Sequence, residues 1–195
     1  MGSREEILAR LRSASPPARE LPDVRRFGER AADLRARFAR SLQDAGGVCV
    51  PLPSADALPA ALEELAPYRE GSRIASLVPG IPRANVRVDD VADPHDLRDV
   101  DLAIVPGDPG VAENGAVWFT DRGLRHRVLP WIAQHLALVV SGERLVNDMH
   151  EAYEQIAVGD GFGCFISGPS KTADIEQALV IGAHGPRSAT VFLIG

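Results

Sequence analysis

Cysteine and lysine are nearly missing from this 195-residue chain, which has two of the first, Cys49 and Cys164, and one of the second, Lys171. Two thiols without CxxC spacing cannot build a disulfide scaffold. Nor can they ligate an iron–sulfur cluster, which takes four ligands, so no such cluster is expected in this chain. No apolar run approaches the ~20 residues of a membrane span. The first twenty residues alternate Arg and Glu with small residues and contain no apolar segment. That predicts no secretory signal and a cytoplasmic address. His95, His126, His135 and His150 show neither HxH nor HExxH spacing, so no bound metal is expected. There is no GxGxxG after a strand, and Gly163 to Gly168 is not a Walker loop, because Pro169-Ser170 displaces Lys171-Thr172 by two residues.

Hydrophobic residues make up 45% and charged residues 25%, which fits an ordered globular chain. At this length roughly 70% of the unfolded surface can be buried. The net charge is -6 and the pI is near 5.4. Such a balance argues against nucleic acid as a principal partner. The charge is also uneven: residues 1–40 carry 10 Arg and 6 acids, net +4, and residues 41–195 carry 11 Lys+Arg and 21 acids, net -10. A basic leader ahead of an acidic body suggests an arm lying on its own domain or on a neighbouring subunit, or else an Arg-rich solvated helical face. Oligomerisation is left open.

The leader, residues 1–45, reads as a helical arm. Ile7, Leu8 and Leu11 form a short stripe broken at Ser15-Pro16-Pro17. Phe27, Ala31, Leu34, Phe38, Leu42 and Ala45 then recur at three- and four-residue steps up to Gly46-Gly47, which predicts an amphipathic helix. Residues 46–195 read as one α/β domain. Strand-like runs occur at 48–50, 74–78, 102–105, 116–119, 136–140, 164–166 and 190–194, with helical stripes at Leu58/Ala61/Leu62/Leu65, Leu145/Met149/Ala152/Ile156 and Ile175/Ala178/Leu179/Gly182. Alternation of this kind predicts a mostly parallel sheet flanked by helices. Two adjacent strand candidates within 101–120 make the sheet mixed.

Three stretches can carry chemistry. From Gly161 to Glu176 a strand runs out at Ser167, turns at Gly168-Pro169 and is expected to open a helix near Ser170–Thr172. A helix N-terminus at a strand's carboxyl end, with Ser170, Lys171 and Thr172 beside it, can hold a small anion. The same letters are explained by Ser170 or Thr172 capping the helix and Asp174 suiting its dipole. Glu113, between small residues and turn formers, can act as base or nucleophile with Asn114 beside it, or Asn114-Gly115 can simply be a hairpin turn. His184, in Gly182-Ala-His-Gly-Pro186, can return to the cleft of Lys171 or can cap a helix end. If both readings of function hold, Glu113 shares one cleft with Lys171 and His184.

Gly168-Pro-Ser-Lys-Thr-Ala-Asp-Ile-Glu176 followed by Gly182-Ala-His-Gly-Pro186, with Val111-Ala-Glu-Asn-Gly-Ala116, resembles the signature of the LUD-domain family. The resemblance implies the glucosamine-phosphate isomerase, ribose-phosphate isomerase and CoA-transferase type of fold. It also implies a part in oxidising L-lactate to pyruvate alongside Cys-rich iron–sulfur partner proteins, with no settled cofactor for this chain. Glu113-Asn114-Gly115 echoes a catalytic element of some CoA transferases, although Ala112 stands where those enzymes often have Ser. Two other functions remain: a free-standing enzyme on CoA-linked or sugar-phosphate substrates, and a non-catalytic scaffold subunit.

Overall fold

A computed structural model describes residues 2–14, 16, 19–20, 22–23, 30–157, 159, 161–172 and 179–195. Phe27, Asp174, Ile175 and Ala178, which the sequence reading used, lie outside the described residues. The elements run α1 (Ser3–Ser13), α2 (Leu34–Asp44), β1 (Val48–Leu52), α3 (Leu58–Glu63), α4 (Ala66–Glu70), β2 (Ile74–Ser76), β3 (Leu102–Pro106), β4 (Gly110–Val111) and β5 (Ala116–Thr120). They continue with α5 (Leu129–Ile132), β6 (His135–Ser141), β7 (Leu145–Val146), α6 (Met149–Gln155), β8 (Gly163–Ile166), β9 (Lys171–Thr172), β10 (Val180–Ile181) and β11 (Ser188–Ile194).

The central sheet has five strands in the order β1-β11-β6-β3-β2, all parallel. A parallel sheet must be covered on both faces, and the side-chain period of two assigns each face its own cluster. Ala103, Val105, Leu136, Leu138, Val140, Val191 and Leu193 pack with Phe38 and Leu42 of α2 and with Val117 and Phe119 of β5. Leu102, Ile104, Ala137 and Phe192 point the other way, against Leu58 and Leu62 of α3 and Tyr68 of α4. The expected mixing of strand directions occurs in a separate four-stranded sheet, β7-β4-β5-β8, in which β5 pairs antiparallel with both β4 and β8.

α2 is built into the core. Asp33 caps it by accepting from the Arg35 and Ala36 N–H groups, each at 3.0 Å. Phe38 and Leu42, one turn apart, are wholly buried, and the Gly46-Gly47 closure appears where expected, with Gly46 at φ +84°. α1 forms as read, with no buried residue.

Helical stripes differ from expectation in places. Ala31, read into the stripe of α2, precedes the capping Asp33 and lies outside the helix. Leu145 belongs to β7, and the following helix starts only at Met149 behind the capping Asp148, which accepts from Glu151 N–H at 2.9 Å. The helix expected near Ser170–Thr172 is not formed there. Lys171–Thr172 instead pairs antiparallel with Val180–Ile181, Thr172 opposite Val180 and Lys171 opposite Ile181. Three of these four residues are β-branched, which suits an extended ladder better than a helix turn.

Candidate functional site

The two motif segments lie side by side. Ser170 N–H donates to the Pro186 carbonyl and Gly182 N–H donates to the Ser170 carbonyl, both at 2.9 Å. Gly168, at φ +71°, approaches α2 so closely that a Cβ would stand 2.4 Å from the Ala45 carbonyl oxygen. Only glycine fits there. Pro169 then rests against Gly46. Between the segments lies a cavity of about 300 Å³ whose walls include Trp131, Phe165, Ser167, Ser170, Lys171 and His184. Lys171 is exposed and its Nζ donates to the Ala45 carbonyl, at the C-terminal end of α2. Two of its three ammonium protons remain for other acceptors.

This cavity sits at the amino edge of the central sheet, not at the carboxyl edge expected from the sequence. Its neighbours are Gly46 just before β1, Leu136 at the start of β6 and Pro186 just before β11. Because β8 belongs to the smaller sheet, its carboxyl end does not align with those of the parallel strands.

Glu113 stands in the four-residue turn between β4 and β5. Asn114 Oδ1 accepts from Ala116 N–H at 3.0 Å, and Gly115 takes φ +67°, so the Asn-Gly hairpin turn is real. The turn is seated on α2: Ser41 Oγ donates to the Ala112 carbonyl at 2.8 Å, and a Cβ on Gly115 would lie 2.4 Å from the backbone nitrogen of Leu42. Ser167 Oγ donates to the Asn114 carbonyl at 2.8 Å, tying the turn to the motif segment. Glu113 itself is exposed, and its Oε2 accepts from Met149 N–H at 3.1 Å, at the start of α6.

The shared cleft is not formed. Glu113 lines a cavity of about 500 Å³ with Arg30, Arg37, Arg40 and Ser41, and Lys171 and His184 line the other. The last turns of α2 separate them: the turn that carries Glu113 rests on Ser41 and Leu42, while Lys171 reaches Ala45.

A third cavity, of about 370 Å³, lies at the carboxyl ends of β2 and β3 and includes Leu77, Asp108, Thr120 and Arg122. There the Arg144 guanidinium holds Asp108 through Nε at 2.8 and 3.1 Å. Sequence reasoning did not single these residues out. The only local signal was the Pro106-Gly-Asp-Pro turn cluster, and Arg144 is 36 positions away.

Burial raises the thiol pKa of both Cys49 and Cys164, so neither is an activated nucleophile. Among the described residues, no group of three His, Cys, Asp or Glu can hold a metal ion. No helix among them is long and apolar enough to cross a membrane.

Comparison with known proteins bears on the segment that carries Glu113, Lys171 and His184. The chain is 33% identical over 100 residues to lactate utilization protein C of Shouchella clausii, covering 48% of this chain and 44% of that protein. It is 31% identical over 101 residues to lactate utilization protein C of Oceanobacillus iheyensis, covering 48% and 43%. The chain thus matches less than half the length of these relatives. The crystal structure of a DUF162 family protein from Deinococcus radiodurans superposes with a TM-score of 0.63 at 20% identity, over 84% of this chain and 98% of that one. This places the two in one fold. The LUD domain profile matches residues 81–194, which include β2's partner strand β3, the Glu113 turn and both motif segments. With more than half of its length matched in this way, the chain belongs to the LUD domain family.

Proposed function

We propose that this chain serves in lactate utilisation, as a subunit that binds a small anion while Cys-rich iron–sulfur partners carry the electrons of L-lactate oxidation to pyruvate. The names of its relatives support the pathway. The cysteine count supports the division of labour: two thiols cannot ligate a cluster, and the reaction releases two electrons that must go elsewhere. The observation that carries the reading is the closure of Gly168–Lys171 onto Gly182–Pro186 around one cavity with Lys171 and His184 on its wall. Among the groups carried over from the sequence, Gly168, Pro169, Ser170 and Lys171 frame that anion site and His184 is its candidate acid–base group, while Glu113 stands in the separate cavity against α2. An anaerobic pull-down from lactate-grown cells tests this. Iron–sulfur proteins should co-purify, and lactate oxidation should require them together with this chain.

One observation favours a second reading, a scaffold subunit without chemistry of its own. Lys171 is engaged with the end of α2, and Glu113 with the start of α6. Under that reading Glu113→Gln and His184→Asn assemble and support lactate oxidation as well as the parent does.

A further inference from the structure

The geometry points to a recognition site for short 2-hydroxy carboxylates at the Glu113 turn, in which arginines of α2 hold the carboxylate and Glu113 accepts the 2-hydroxyl proton in a hydrogen bond. This rests on the reading of lactate utilisation and adds, beside the motif cavity, a second place for an anion. The cavity of about 500 Å³ at this turn is walled by Arg30, Arg37 and Arg40, three guanidinium groups on a chain of net charge -6. Arginine offers a planar fork that matches a carboxylate, so this wall suits an organic acid better than a neutral ligand.

Each charged group facing the cavity has a place in the scheme. Asp33 is turned toward its own helix, accepting from the Arg35 and Ala36 N–H groups. Arg30 pairs with Glu151 at 3.1 Å, and Arg37 contacts Asn147 Oδ1 at 3.5 Å. Arg40 is exposed on the same α2 face as Arg37, one turn nearer Glu113 and next to Ser41. Glu113 uses Oε2 for Met149 N–H, which leaves Oε1 as an acceptor. A second carboxylate in an anion site repels the ligand unless the ligand brings a proton to it. A 2-hydroxyl does so, a 2-keto oxygen does not, and an unsubstituted acid has nothing to offer. The site therefore prefers lactate to pyruvate and to propionate of similar size.

Glu113→Gln makes the logic testable without disturbing the fold. The amide oxygen still accepts from Met149 N–H, and the amide nitrogen then presents a donor to the cavity. Ligand-observed NMR titration of the full chain with L-lactate, pyruvate and propionate reads the outcome. The parent should bind lactate roughly tenfold more tightly than propionate, about one charged hydrogen bond, and pyruvate most weakly. Glu113→Gln should move the preference to pyruvate, and Arg40→Ala should weaken all three. Arg87→Ala, which removes an exposed arginine paired with Asp90 away from the cavity, should leave the titrations unchanged. Equal affinity for lactate and propionate, lactate binding indifferent to Arg40→Ala, or no binding of any acid would each overturn the inference. A gene deletion that still abolished growth on lactate would leave the broader function standing in that event, and a deletion that did not would remove it independently.

Discussion

Lys171 reaches across 126 positions to the carbonyl of Ala45, where the unpaired carbonyls of α2 gather the negative end of the helix dipole. The last turn of α2 has no basic residue of its own, so this lysine supplies the cation. Lys171→Ala should therefore cost about 0.5–1 kcal/mol in urea unfolding; an unchanged midpoint would mean the contact contributes nothing. Gly115 is more demanding. It combines φ +67° with a backbone neighbour 2.4 Å from any added Cβ, and Gly115→Ala should destabilise by about 3 kcal/mol or more, visible as a large drop in melting temperature. The Asn114-Gly115 turn was legible in the sequence because an Asx hydrogen bond and a left-handed glycine are properties of adjacent residues. The partners of Glu113 and Lys171 were not, because Met149 and Ala45 are brought to them only by the packing of α2 and α6.

Strands of the central sheet were readable as short runs of Val, Ile and Leu, since strands buried on both faces need apolar residues at nearly every position. α2 was readable from its 3.6-residue stripe. Its cap and its core residues give separate expectations: Asp33→Ala should cost about 1 kcal/mol, and Phe38→Ala, at a fully buried position, about 3–5 kcal/mol. The pairing of β9 with β10 was misread because a two-residue strand is too short to show a period, and a Gly-Pro followed by Ser-Lys-Thr looks the same before a helix as before a strand. The start of β6 adds a pH dependence. Burial, with Arg187 nearby, lowers the pKa of His135, whose Nδ1 lies 2.8 Å from Ser188 Oγ. The unfolded chain then binds the proton more readily, so this stability is present above about pH 6.5 and declines as pH falls through that value. Asp101 is shifted down chiefly by the Arg73 N–H, and its contribution persists until pH falls below about 4. Thermal melts from pH 7.5 to 5.5 should show a decline that His135→Asn reduces; a flat profile in the parent would contradict it.

The molecule joins a basic leader to an acidic body through α2, which is helical leader in sequence and core in space. That placement puts arginines from the first 40 residues around a turn of the LUD domain. Removing residues 1–14, none of which is buried in α1, should leave the melting temperature nearly unchanged, whereas any truncation that includes Phe38 should unfold the domain. Family membership was legible because it resides in contiguous motifs. The separation of Glu113 from Lys171 was not, because it depends on which edge of which sheet each segment meets. The most direct test of the role argued for this chain is growth of its native host on L-lactate as the sole carbon source. Deleting the gene should abolish that growth, spare growth on a sugar, and be reversed by supplying the gene in trans; undiminished growth of the deletion strain on L-lactate would contradict the account.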